Sequence, residues 1–295
     1  MESIILKSAE GSKRLLIVFA HPDDESFGPA GTIIHYASRG VAVHYVCATR
    51  GEAGYAAPEL LDKYDSLADL RTEELICAAQ QLGLTGLHIL DYQDSGMENT
   101  AENRNPSSLY QAPLEEVAWK VIHLIRQIQP QIVITFGPSG GYFHPDHVKM
   151  HQATTMAFFA AGDGERSSCH RDDPKPYQAQ KLYYTVFPRG AVKLAVKILP
   201  VFGQDPAAMG RNGDINLQRM AEVQQKVTTR VKVAAYFRAS QRAAQCYASQ
   251  APAGGNRFPA FLCRWVFRYD TYTCAFPRMK KGRVERDLFE GVDER

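Results

Sequence analysis

Apolar residues fall into short unbroken runs separated by stretches with helical spacing. Residues 14–19 form the first run, Arg14-Leu15-Leu16-Ile17-Val18-Phe19, and residues 41–47 the second, after the turn signal Arg39-Gly40. Between them residues 31–38 are short and helix-compatible, so the chain opens as a βαβ unit. Leu67, Leu70, Ile76, Ala79 and Leu82 then recur at helical spacing up to Gly83, and residues 87–90 read as a further strand. The clearest helix starts at Pro113, taken as the first helical residue, and carries Val117, Val121, Ile122, Ile125 and Ile128 to a stop at Pro130. Residues 132–136 follow as a strand, a helix begins near Pro145, and residues 182–187 are expected to be the last strand of the sheet.

Runs apolar on both faces and alternating with helices predict a mostly parallel sheet flanked by helices, an α/β fold of Rossmann-like type. Beyond residue 188 the pattern weakens: residues 217–225 and 233–245 look helical, residues 251–259 read as a Pro/Gly loop, and the tail is basic. The expected division is a catalytic domain over 1–188 and a C-terminal elaboration over 189–295 that packs on it and shapes the pocket. At 295 residues such a chain can bury a large core.

Charge changes this picture little. Lysine and arginine number 34 against 32 acidic residues, a net +2, so nothing points to nucleic acid or an anionic membrane as partner. No stretch reads as a signal peptide and no apolar run is long enough to span a membrane. The six cysteines form no CxxC pair, and Cys47 and Cys77 fall in apolar-periodic segments as small buried residues, which suits a reducing cytoplasm.

The polar residues just past the strand ends change it most, because open α/β sheets bind ligands there. Ala20-His21-Pro22-Asp23-Asp24-Glu25 follows the first strand. In an extended chain His21 and Asp24 would stand about 10 Å apart, too far to share an ion, so a turn at Pro22 must bring them together. Asp23 then points elsewhere and is free to act as a general base. His144-Pro145-Asp146-His147 repeats the device, with Pro145 opening a helix, His144 at its cap and His147 one turn in. Two histidines and a carboxylate form a catalytic zinc set, and iron(II) accepts the same donors. His151, at i+4 from His147, is a rival ligand more readily placed beside the site, and His35, His44, His88 and His123 read as structural. Cys169, His170, Asp172 and Asp173 lie in one polar loop and read as solvated. Gly28-Pro29-Ala30-Gly31 is no dinucleotide fingerprint, since Pro29 and the preceding carboxylates oppose a pyrophosphate.

These motifs, with Gly51-Glu52, Arg71 and Glu74, Asp94-Ser95-Gly96-Met97 and Gly141-Tyr142-Phe143 leading into His144, resemble the LmbE-like/PIG-L zinc deacetylases. The likeness is nearest to the longer bacterial members, of the mycothiol-pathway deacetylase and mycothiol-conjugate amidase type. It implies hydrolysis of an N-acetyl or other N-acyl group on a small glucosamine-containing substrate, in the cytoplasm, by a chain for which a homo-oligomer is compatible. It implies His21, Asp24 and His147 as zinc ligands, Asp23 as the base, His144 and Tyr142 at the oxyanion, and Arg71 and Asp94 as substrate-binding residues. Where such relatives tend to carry a histidine three residues before a Ser-Gln pair, Ser249-Gln250 is here preceded by Tyr247. Cleavage of larger glycosyl-thiol conjugates and non-catalytic sugar binding are the competing readings.

Overall fold

A computed structural model describes residues 1–8, 11–164, 174–187, 189–210, 213–223, 225–250, 268–280 and 282–293. The strands are β1 (Glu2–Ile5), β2 (Arg14–Phe19), β3 (Ala42–Thr49), β4 (Gly86–Tyr92), β5 (Ile132–Thr135), β6 (Lys181–Thr185), β7 (Thr229–Lys232) and β8 (Tyr269–Phe276). The helices are α1 (Asp24–Phe27), α2 (Ala30–Ala37), α3 (Pro58–Leu61), α4 (Leu67–Leu82), α5 (Leu114–Ile128), α6 (Pro145–Ala160), α7 (Arg189–Ile198), α8 (Leu217–Glu222) and α9 (Phe237–Gln245). The strands join into one eight-stranded sheet in the order β1-β4-β3-β2-β5-β6-β8-β7.

The five inner strands from β4 to β6 are parallel, as their doubly apolar runs predict, and residues 15–19 of β2 are almost wholly buried. The chain builds outward from β2 through β3 to β4, then crosses back to lay β5 and β6 on the other side. The order therefore reverses between β2 and β5, and the loops after those two strands open at that reversal. A crevice results there without any special side chain.

Local signals set the helix ends. Ser66 Oγ caps α4 by accepting from Asp69 N at 3.2 Å, and Gly83, with φ 75°, ends it. Pro145 is the first residue of α6, as expected. Pro113 sits one position earlier than expected, as the cap of α5 with extended backbone.

Three expectations need correction. The strand at 181–185 is not the last of the sheet, because β8 pairs antiparallel with β6 and β7 with β8. The N-terminal β1, which has only four residues, adds an antiparallel edge beside β4. Cys77 is neither buried nor a free thiol: it is exposed on α4 and forms a disulfide with Cys246, 169 residues later, across the α4–α9 contact. Cys169, His170, Asp172, Asp173 and the loop at 251–259 lie outside the described residues.

Candidate metal centre

The turn after β2 does what the spacing requires. The backbone N–H groups of Ala20 and His21 both donate to Asp24 Oδ2, at 3.2 and 2.8 Å, which folds the Asp24 side chain back beside the His21 ring. His21 Nδ1 then lies 3.7 Å from Asp24 Oδ2. Asp23, between them, adopts φ 112°, a left-handed backbone that turns its side chain away from theirs.

The second half comes from the loop after β5. Gly140, at φ 61°, lets the backbone pass so close to α6 that a Cβ there would stand 2.6 Å from His147 Cβ. Its carbonyl accepts from His147 Nδ1 at 2.9 Å, and the imidazole stacks on Phe136 with centroids 3.9 Å apart. Because a carbonyl only accepts, the His147 proton sits on Nδ1 and Nε2 presents a lone pair. His21 is fixed in the opposite sense: its Nε2 faces Asp146 Oδ2 at 3.1 Å and Asp94 Oδ1 at 3.4 Å, so the proton lies there and Nδ1 looks inward.

His21 Nδ1 and His147 Nε2 meet at 3.1 Å, and Asp24 Oδ1 stands 3.3 Å from the latter. Two imidazole nitrogens thus lie side by side with a different Asp24 oxygen set against each, and such a cluster attracts a positive charge. Ligands at 2.0–2.2 Å around a tetrahedral metal lie about 3.3–3.6 Å apart, close to these separations. Without a metal, an extra proton answers the same demand. Burial opposes it, but the carboxylates of Asp94, Asp146 and Asp24 raise the pKa of His21 well above the ordinary histidine value. Asp24 is held below the carboxylate range: burial works the other way, and His147 and His21 outweigh it.

His144 comes within ligand range of the same two histidines, the donor atoms of the three lying within 4.8 Å of one another. It caps α6, however, and its Nδ1 accepts from Asp146 N at 3.2 Å, so its proton is on Nε2. Burial, with His21 and His147 nearby, holds its pKa well below the usual value, and the ring stays neutral. The Tyr142 ring lies edge-on to His147 with centroids 5.0 Å apart. Asp23 is the open member, with 23% of its side chain exposed, and its Oδ2 accepts from Arg71 Nη2 at 2.9 Å. Burial pushes its pKa up to about 7, while Arg71 pulls the other way.

His21, Asp23, Asp24, Arg71, Asp94, Tyr142, His144 and His147 are therefore brought together at these strand ends. Arg71 is more enclosed than a substrate-gripping residue requires, since its guanidinium also donates to the carbonyls of Pro22 and Gly51. Asp94 Oδ1 accepts from Gly96 N at 2.9 Å and faces His21. His151 turns away, its Nδ1 donating to the Phe136 carbonyl at 2.8 Å, while His44 and His88 bond to each other at 3.2 Å.

Sequence reasoning missed Asp146 and Ser95. Asp146 is fully buried, orients His21, and is held in turn by the Ser95 N–H at 2.9 Å and the Ser95 hydroxyl. Its position between two histidines at a helix start was the signal. An open depression of about 440 Å³ lined by Lys63, Tyr64, Asp65, Asp69, Thr72 and Glu73 borders none of these groups.

Comparison with known proteins agrees with this picture. Over 90% of this chain and 96% of the other, the fold matches a conserved protein from Thermus thermophilus at TM-score 0.56 and 20% identity. It matches a 4-carboxy-2-hydroxymuconate hydratase, GalB, from Pseudomonas putida at TM-score 0.56 and 18% identity, covering 92% and 99% of the two chains. The fold alone thus does not select a reaction. By sequence, a 1D-myo-inositol 2-acetamido-2-deoxy-alpha-D-glucopyranoside deacetylase of Streptomyces scabiei is 31% identical over 95% of this chain and 90% of its own. A second protein of that description, from Catenulispora acidiphila, is 38% identical over 68% of each chain. Residues 16–158, which contain His21, Asp23, Asp24 and His147, match the GlcNAc-PI de-N-acetylase family, and the chain belongs to that family, PIG-L.

Proposed function

We propose that the protein is a zinc-dependent hydrolase that removes the N-acetyl group from a glucosamine joined to a small polar aglycone such as inositol. The observation that carries this is the pairing of His21 Nδ1 with His147 Nε2 at 3.1 Å, an Asp24 oxygen beside each, with Asp23 open next to them. His21, Asp24 and His147 would hold the ion. A zinc ion held there would supply a Lewis acid for a carbonyl and would lower the pKa of water from about 15.7 to about 7.

The remaining work belongs to side chains. Asp23 accepts the proton of the attacking water and passes it to the departing amine, and a carboxylate poised near neutral pH suits both steps. Neutral His144 carries its proton on Nε2, so it donates to the oxygen of the acyl group as negative charge develops there. Tyr142, beside both histidines, supplies a second donor. Asp94 meets a sugar hydroxyl, while Arg71, enclosed by the Pro22 and Gly51 carbonyls, holds Asp23. The described part of the region after residue 188 shapes the rim through α8, which brings Arg219 over the Phe143 ring at 3.9 Å.

The test is release of primary amine from a panel: N-acetylglucosaminyl inositol, free N-acetylglucosamine, a long-chain N-acyl glucosamine and a glycosyl-thiol conjugate, each with zinc- and iron-loaded protein. Fastest turnover of the inositol compound by the zinc form is expected. A zinc-loaded protein inert on every N-acyl sugar would overturn the reading.

A further inference from the structure

A buried chain of contacts runs from the C-terminal region to the backbone of Asp23. The left-handed conformation of Asp23, at φ 112°, is costly for a residue with a Cβ and persists only where neighbours impose it. Here the Asp23 N–H donates to Glu25 Oε2 at 3.2 Å. Glu25 is fully buried, and its other oxygen accepts two hydroxyls, from Ser26 at 2.6 Å and from Tyr247 at 2.7 Å. Tyr247 is itself fully buried and is fixed on both sides by α4. Its neighbour Cys246 is bonded to Cys77, and two residues on Ser249 donates to Glu74 through both its N–H, at 2.8 Å, and its hydroxyl, at 2.5 Å. The same helix carries Arg71, which holds the Asp23 carboxylate from the other side.

We propose that Tyr247 is a positioning residue for Asp23, acting through Glu25. This rests on the reading of Asp23 as the base. A ring needed only for packing would have no use for a hydroxyl. This one is spent on a carboxylate whose far oxygen secures the Asp23 backbone. With the hydroxyl removed, Glu25 Oε1 keeps one donor in a site closed to water, and the carboxylate gains freedom to rotate. The Asp23 N–H then loses its acceptor, and with it the constraint that aims the side chain. Metal ligation is untouched, because neither Glu25 nor Tyr247 contacts His21, Asp24 or His147 through its polar atoms in the bonds described.

Tyr247→Phe keeps the ring and deletes the donor. The expected result is a kcat lowered about tenfold or more, with KM within about twofold of the parent, unchanged zinc content and an intact Cys77–Cys246 bond. Amide exchange over residues 20–28 should be faster. Tyr247→His, the residue type that the resemblance places near this position, returns a ring donor and should recover most of the kcat and the slow exchange. Parental kcat and exchange in Tyr247→Phe would overturn the proposal, as would zinc loss accompanying the kcat change, or a Tyr247→His as impaired as Tyr247→Phe. The exchange measurement needs no turnover. If the parent protein is inert on every amino sugar, the functional reading fails while this proposal is still judged by the exchange of residues 20–28.

Discussion

The stretch from β2 to α6 and the stretch after α7 begins use apolar residues in opposite ways. In the first, the strands and the inner faces of α4, α5 and α6 are almost wholly buried, and nearly all of the site's polar groups hang from the ends of those strands. In the second, α7 and the turn after it leave Leu194 56%, Val201 81% and Phe202 62% exposed. Beyond that turn the region adds only a few residues to the shared core, among them Val231, Ala243, Tyr272 and Leu288, and is tied to it by single anchors: Tyr247 on Glu25, Ser249 on Glu74, Cys246 on Cys77 and β8 on β6. A precise site needs a rigid base but only a few ties to its rim.

Four measurements would break or sharpen that contrast. The largest effect is expected in the strand-end cluster: Asp23→Ala should lower kcat by about 10²- to 10⁴-fold with metal retained, whereas His147→Ala should lose the metal itself. Metal analysis beside steady-state kinetics separates the two, and full activity in Asp23→Ala would remove it as the base. Next comes the core beneath: Ile17→Ala should cost about 2–5 kcal/mol in urea unfolding, and a loss under 1 kcal/mol would mean that the central strand is not the rigid base.

The third is a dependence on acid. Burial holds His88 and His44 at about 4, below the ordinary 6.5. Between those values the unfolded chain binds protons that the native one refuses, so stability is complete above pH 6.5 and falls as pH drops towards 4. The loss reaches about 3 kcal/mol for buried His88 and less for half-buried His44. His88→Gln should flatten that slope in unfolding titrations at pH 7, 5.5 and 4.5; an unchanged slope would put the acid sensitivity elsewhere. The smallest effect is expected at the exposed turn, where Val201→Ala should shift stability by less than about 0.5 kcal/mol. A larger loss would mean that this surface is covered in solution.

Legibility followed the same divide. Strands β2, β3 and β5 announce themselves because parallel strands covered on both faces need unbroken apolar runs, and α4 and α5 because one face repeats every three to four residues. Strand β8, Tyr-Asp-Thr-Tyr-Thr-Cys-Ala-Phe, alternates in burial only around Tyr272 and Cys274, too short a signal to stand out in the weakly patterned region after residue 188. His21, Asp24 and His147 were legible because histidine and aspartate at a strand end have no packing use. Asp146 was hidden by the more conspicuous histidines beside it. The Cys77–Cys246 bond and the Tyr247–Glu25 contact depend on helices that meet only in the folded chain, across 169 and 222 residues, and no local pattern encodes either.

The late arrival of β8 has a consequence for biosynthesis. When the ribosome has made β6, one edge of that strand is paired with β5 and the other waits for residues 269–276, more than eighty residues downstream. Lys181 waits longer still, for Glu285, whose carboxylate it meets at 2.8 Å. Throughout that interval the nascent sheet presents an open edge of unpaired backbone N–H and C=O groups to its neighbours on the polysome. Shortened chains ending between β6 and β8 should therefore accumulate in aggregates, although they contain every residue that would hold the metal.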